Sequence, residues 1–78
     1  MFHVEHSKFM KLDFIDGKAI VKQGKKTIAK VYDRKVYYKV NNIKGSFSEK
    51  YPYSLEMKFG VAECESLAKV KELIEKYI

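Results

Sequence analysis

Residues 27–41, TIAKVYDRKVYYKVN, carry the clearest strand pattern in this chain. Apolar and polar side chains alternate on both sides of Arg34 and Lys35, and such alternation is typical of β-strands. A two-residue turn at Arg34 and Lys35 predicts a hairpin between residues 27–33 and 36–41. Its two faces carry Ala29, Val31, Val36, Tyr38 and Val40 on one side, and Lys30, Tyr32, Tyr37 and Lys39 on the other.

This predicted hairpin places Lys30 directly opposite Lys39. Like charges opposed on a sheet repel each other unless an anion or solvent lies between them, so the pairing indicates an anionic partner. The formal net charge is +6, and residues 8–50 hold twelve Lys and Arg against four acidic residues. Residues 51–78 hold four Lys against five Glu. A basic half favours an anionic partner, although a lysine-rich surface also serves solubility.

Two more strands are predicted before this hairpin. Residues 10–15 and 18–22 flank Asp16-Gly17, a pair that favours the tight type I′ turn. This turn pairs Phe14 with Ala19, so that the apolar side chains of both segments share one face.

The connection at residues 24–26 determines which side chains of the next two strands lie on that face. We interpret it as a three-residue loop, which pairs Val21 with Ala29 and Ala19 with Val31. A two-residue loop would reverse the faces, because side chains alternate along a strand.

The C-terminal half contains a loop, a strand and a helix. Residues 41–52 are rich in turn-forming residues, and residues 53–59 alternate as a fifth strand. Ser66 is a candidate N-cap for a helix that runs to the C-terminus. The fold class predicted is α+β, an antiparallel meander of four to five strands with one C-terminal helix packed on one face. That helix presents an apolar stripe of Leu67, Val70, Leu73, Ile74 and Tyr77.

We expect one domain over residues 10–78, preceded by a flexible leader, residues 1–9, in which no period is sustained. The lone cysteine, Cys64, excludes an internal disulfide and is typical of the reducing cytoplasm. No stretch is long enough to span a membrane, and no signal peptide is evident. We therefore expect a cytoplasmic protein without membrane contact. The bias toward lysine, isoleucine, tyrosine and asparagine is typical of AT-rich bacterial or phage genomes.

Catalysis has little support in the sequence. Cys64 has no evident base beside it, and no glycine-rich phosphate loop occurs. His3 and His6 have a spacing that suits a metal within a helix, but no third ligand is near them in the sequence. We expect no enzymatic activity, no cofactor and no metal site.

The outer face of the predicted sheet is the candidate binding site. Lysines neutralise phosphates, and tyrosine rings stack on unpaired bases, so the face suits DNA or RNA. Arg34 is the only arginine, which favours sequence-tolerant binding over base readout. The residues predicted to bind nucleic acid are Lys18, Lys22, Lys30, Tyr32, Arg34, Lys35, Tyr37 and Lys39.

Two alternatives fit the same face. Ile20 and Ile28 join Tyr32 and Tyr37 in a modest apolar strip, which suits an acidic protein partner or a homodimer. An inhibitor or adaptor would have such a surface. The other alternative is structural, with Tyr32 and Tyr37 as a cross-strand aromatic pair and the lysines as protection against edge pairing.

Overall fold

The computed structural model describes residues 11–77. The strands form one antiparallel sheet in the order β1-β2-β3-β4. The prediction of an α+β meander with a C-terminal helix is confirmed, with four strands and one additional short helix. The leader predicted for residues 1–9 lies outside the described residues. In chain order the elements are β1 (Lys18–Gln23), β2 (Lys26–Asp33), α1 (Arg34–Val40), β3 (Tyr53–Met57), β4 (Gly60–Cys64) and α2 (Leu67–Tyr77).

The core lies between the inner face of the sheet and α2. Leu55 of β3 is completely buried, as is Ile74 on the apolar stripe of the helix. Burial of such a side chain stabilises the fold by about 1.5–3 kcal/mol. The buried cluster consists of Ala19, Ala29, Val31, Leu55, Cys64, Val70 and Ile74.

Ser66 caps α2, as the sequence predicts. Its hydroxyl oxygen accepts a hydrogen bond from the backbone N–H of Lys69 at 3.2 Å. We expect Ser66→Ala to lower the free energy of unfolding by about 1 kcal/mol, because one N–H of the first turn loses its partner. Urea denaturation would measure the change. Ser46→Ala, in the exposed segment between α1 and β3, is the control, and an equal loss in both variants would contradict the capping role.

The first predicted strand, residues 10–15, is wrong for the residues that the structure describes. Only Ile15 forms a bridge, exchanging backbone hydrogen bonds of 2.9 and 3.1 Å with Lys18. Leu12 and Phe14 pack against the core instead, and the Phe14 ring centre lies 6.4 Å from that of Tyr53. Burial of these side chains therefore holds the segment without a strand ladder.

The predicted strand over residues 36–41 is also wrong, because Arg34–Val40 forms helix α1. Tyr37 contacts Tyr32 on the outer side of the sheet. Tyr38 contacts Phe47 in the segment that leads to β3. Positions 34, 37 and 38 share one helix face, so helical spacing places all three side chains toward the rest of the protein. This tertiary packing overrides the strand-like alternation.

The partner of β2 is consequently β3 rather than residues 36–41. Lys30 lies opposite Glu56 in this register, with Ile20 on its other side. The predicted opposition of Lys30 and Lys39 is wrong, and Lys39 lies on α1. Opposite charges across a strand pair attract, so the position of Lys30 alone calls for no external anion.

The predicted fifth strand is too long. β3 ends at Met57, and a tight turn at Lys58 and Phe59 leads into β4. Gly60, at the start of β4, has a φ of 124°, which only glycine adopts readily. Residues 61–64 pair with β3, which places Ala62 opposite Leu55.

The predicted register between β1 and β2 is confirmed, although the loop differs. Ala19 lies opposite Val31, and Val21 lies opposite Ala29. The turn has two residues, because Gln23 pairs with Lys26. A bulge at Ile28 supplies the extra residue that keeps the apolar side chains on the inner face. The bulge thus gives the same register as a three-residue loop.

Candidate nucleic-acid interface

Two rows of side chains cross the outer face of the sheet. Each row has a lysine on β1 or β2 and a glutamate on β3 or β4. The face therefore has balanced charge and is not a uniformly basic platform. From β1 to β4 the first row is Lys18, Tyr32, Ser54 and Glu63, and the second is Ile20, Lys30, Glu56 and Val61.

Arg34 is bound within the protein. Its side chain is 13% exposed, and one terminal nitrogen donates to Glu63 Oε2 at 3.1 Å. The other terminal nitrogen donates to the backbone carbonyl of Tyr51. The guanidinium also lies over the Phe47 ring, 5.5 Å from its centre. These contacts join α1 to β4 and to the segment before β3, and they leave the guanidinium little capacity for a ligand.

Tyr32 and Tyr37 form an aromatic pair between the sheet and α1. Their ring centres are 4.9 Å apart with a near-perpendicular angle of 71°. Lys18 Nζ lies 5.7 Å from the Tyr32 ring centre. Burial raises the pKa of the Tyr32 hydroxyl, the Glu56 carboxylate raises it further, and Lys30 acts in the opposite direction. A base that stacked on Tyr32 would compete with these contacts.

The structure does not bring the eight predicted binding residues together on one surface. Lys35 and Lys39 are exposed one turn apart on the side of α1 that faces away from Tyr37 and Tyr38. Lys22 lies at the opposite end of β1, beside the turn. The remaining five lie on or beside the outer sheet face, namely Lys18, Lys30, Tyr32, Arg34 and Tyr37.

A second candidate site lies where the two hairpins end, and we call it the hairpin-end cleft. Its volume is about 320 Å³. The β2–β3 ladder stops at Lys30 and Glu56, while the β1–β2 ladder continues to Gln23 and Lys26. The bulge at Ile28 adds twist to the first hairpin, which accounts for the gap between the hairpins. The cleft is lined by Gln23, Lys26, Thr27, Ile28, Met57, Lys58, Phe59 and Tyr77.

The hairpin-end cleft combines aromatic and cationic side chains. The ring centres of Phe59 and Tyr77 are 4.7 Å apart, and the side chains are 46% and 52% exposed. Lys26 and Lys58 are exposed at its rim. Lys76 Nζ lies 5.6 Å from the Tyr77 ring centre. Ligands with a flat ring and a negative charge match this combination.

Local sequence predicts little of this cleft. The pattern places Lys26 in a loop, Phe59 on the apolar face of a long strand and Tyr77 on the helix stripe. Gly60 is the one sequence signal for this site, because a glycine directly after Lys58-Phe59 is typical of a tight turn at those two residues. The local sequence pattern does not predict that the two hairpin ends lie side by side, because this arrangement depends on the β2–β3 pairing.

Cys64 is buried in the core, and burial raises the pKa of its thiol, with Lys69 acting in the opposite direction. A protonated, inaccessible thiol is a poor nucleophile.

Within residues 11–77, no group of three or more His, Cys, Asp or Glu side chains is placed to hold a metal ion. The histidine pair considered for a metal, His3 and His6, lies outside this range. Among the same residues, no helix has the length and apolar character needed to cross a membrane.

Comparisons of the chain with models of protein families, with curated proteins and with solved structures found no match.

Proposed function

We propose that this protein is a non-catalytic module that binds nucleic acid without sequence preference, through lysines around the hairpin-end cleft. The observation that carries the proposal is the unpaired positive charge there. Within residues 11–77, the ion pairs are Arg34–Glu63 and Lys69–Glu72, both away from this end. Lysines that neutralise phosphates release counterions, which favours binding. The exposed lysines are Lys22, Lys25, Lys26 and Lys58.

The position of Arg34 supports a sequence-tolerant mode. Bidentate arginine is the preferred reader of guanine, and this side chain is held by Glu63 and Tyr51. Lysine contacts a phosphate as a point charge and carries little base information. The charge pattern therefore favours backbone contacts, in which DNA and RNA are equivalent.

Charge reversal at the cleft tests this proposal. We expect Lys26→Glu with Lys58→Glu to weaken binding of a fluorescent single-stranded oligonucleotide about tenfold or more at low salt. The slope of log Kd against log salt concentration should fall by about 1.4, because two phosphate contacts are lost and each contributes about 0.7 for a single strand. Fluorescence anisotropy over a salt series measures both quantities.

Lys35→Glu with Lys39→Glu is the matched control, since it changes the net charge equally on α1. We expect this control to weaken binding much less, with little change in the salt slope. Equal losses in the two double variants would mean that net charge alone acts, and would contradict a site at the cleft. Absence of binding by the unmodified protein to DNA and RNA at low salt would refute the proposed function.

A second candidate function is association with an acidic protein or with a second copy of the chain. It is favoured by Ile20 and Val61, which are 51% and 66% exposed on the outer face. Apolar association persists in high salt, whereas binding to phosphates weakens steeply. Sedimentation velocity in high salt therefore distinguishes a self-associating protein from a monomer that binds nucleic acid.

A further inference from the structure

We infer that the hairpin-end cleft holds one unpaired nucleotide, with its base against Phe59 and Tyr77 and its phosphate between Lys26 and Lys58. The inference rests on the proposed nucleic-acid binding and adds a preference for single strands. Base stacking on aromatic side chains is common in proteins that bind single strands, and it tolerates any sequence.

The size of the cleft suits a ligand of one nucleotide. Its volume of about 320 Å³ lies at the lower end of the range for small-molecule pockets. Ile28 and Met57 contribute apolar surface, and the rings of Phe59 and Tyr77 are inclined at 45° to each other. Both rings are about half exposed, so each presents surface to a base without rearrangement of the core.

The charges around the cleft determine where the phosphate lies. Lys26 follows the β1–β2 turn and Lys58 is in the β3–β4 turn, so two cations from separate hairpins flank the opening. A shallower cavity of about 150 Å³ adjoins it and is lined by Lys30 and Glu56 as well as Lys58. The Glu56 carboxylate repels a phosphate, which places the phosphate at the hairpin tips.

The strand pairing provides polar groups for the edge of the base. Thr27 and Ala29 of β2 pair with β1, Ile28 is the bulged residue between them, and the described ladder to β3 begins only at Lys30. Thr27 and Ile28 line the cleft, and in the described ladders their backbone has no partner on β3. Any base presents donors and acceptors along its edge, so such contacts stabilise binding without selecting a sequence.

A base within a duplex is stacked and paired, and its removal from the stack costs a few kcal/mol. Single strands avoid this cost. We therefore expect the protein to bind a single strand about tenfold or more tightly than a duplex of the same length and composition at the same salt concentration.

Substitution of Phe59 tests the inference. Phe59→Leu keeps an apolar side chain but removes the aromatic face, and we expect about a 5- to 100-fold loss of single-strand affinity with no change in duplex affinity. Phe59→Tyr keeps the face and should retain nearly full affinity. Fluorescence anisotropy with oligothymidylate and with a duplex measures these changes, and circular dichroism checks that each variant is folded.

The outcomes separate this inference from the proposed function. Equal binding of single strand and duplex by the unmodified protein would overturn the inference and leave nucleic-acid binding in place. An unchanged single-strand affinity in folded Phe59→Leu would also overturn it. Absence of binding to both at low salt would overturn both proposals together.

Discussion

Gly17→Ala is expected to lower the free energy of unfolding by about 2–5 kcal/mol. A Cβ atom at this buried position would lie 2.4 Å from the backbone nitrogen of Tyr37 and 2.7 Å from its Cα. The obstacle is helix backbone, which cannot rotate away as a side chain does. Gly17 also has a φ of 82°, in the left-handed region that disfavours other residues. The substitution therefore forces α1 away from the start of β1.

Gly24→Ala is the matched control for this substitution. Gly24 also has a positive φ, 66°, but a Cβ atom at this position would have no atom within 4 Å beyond Gly24 itself and its two chain neighbours. Gly24→Ala should therefore lower the free energy of unfolding only by the conformational cost of a positive φ, about 1–2 kcal/mol. Chemical denaturation of both variants separates the clash from the conformational cost. If the two losses are equal, α1 does not pack against Gly17 as described.

Arg34→Ala is expected to lower the free energy of unfolding by about 1.5–3 kcal/mol, the range for hydrogen bonds to charged groups. The substitution removes the donors to Glu63 and to the Tyr51 carbonyl, together with the contact on Phe47. Arg34→Lys should restore only part of this loss, because an ammonium lacks the planar fork that reaches both acceptors.

Glu63→Gln separates the two sides of this interaction. The Glu63 side chain is 53% exposed, so we expect Glu63→Gln to lower the free energy of unfolding by less than about 1 kcal/mol. Urea denaturation of the Arg34 and Glu63 variants compares them under the same conditions. A loss in Arg34→Ala no larger than that in Glu63→Gln would show that the Tyr51 and Phe47 contacts add nothing. In that case Arg34 would be an ordinary surface residue.

The contrast between α2 and α1 shows what periodicity can predict. In α2, Leu67, Val70 and Ile74 repeat at helical spacing over eleven residues, and both the helix and its cap were predicted. In α1 only seven residues are helical, and their alternation fits a strand equally well. A short segment of this kind takes the structure that its tertiary contacts stabilise, which local spacing does not reveal.

The candidate site was predicted in its chemistry more than in its position. The excess of lysine and the shortage of arginine are properties of composition. They favour phosphate contact whether the lysines lie on the sheet face or around the hairpin-end cleft. The sheet platform depended on residues 36–41 being a strand, and it was lost with that strand. Phe59 and Lys58 became candidates only when the turn before β4 brought them beside Lys26.

Local sequence is sufficient to predict the elements that depend on near neighbours. Turn chemistry gives the turn at Asp16-Gly17, and the periodicity of apolar side chains gives the β1–β2 register and the amphipathic C-terminal helix, because both act over a few residues. Tertiary contacts are needed to explain α1, the pairing of β2 with β3 and the hairpin-end cleft. Each depends on contacts between distant residues, such as Arg34 with Glu63, whose free energy outweighs a local preference for strand or helix.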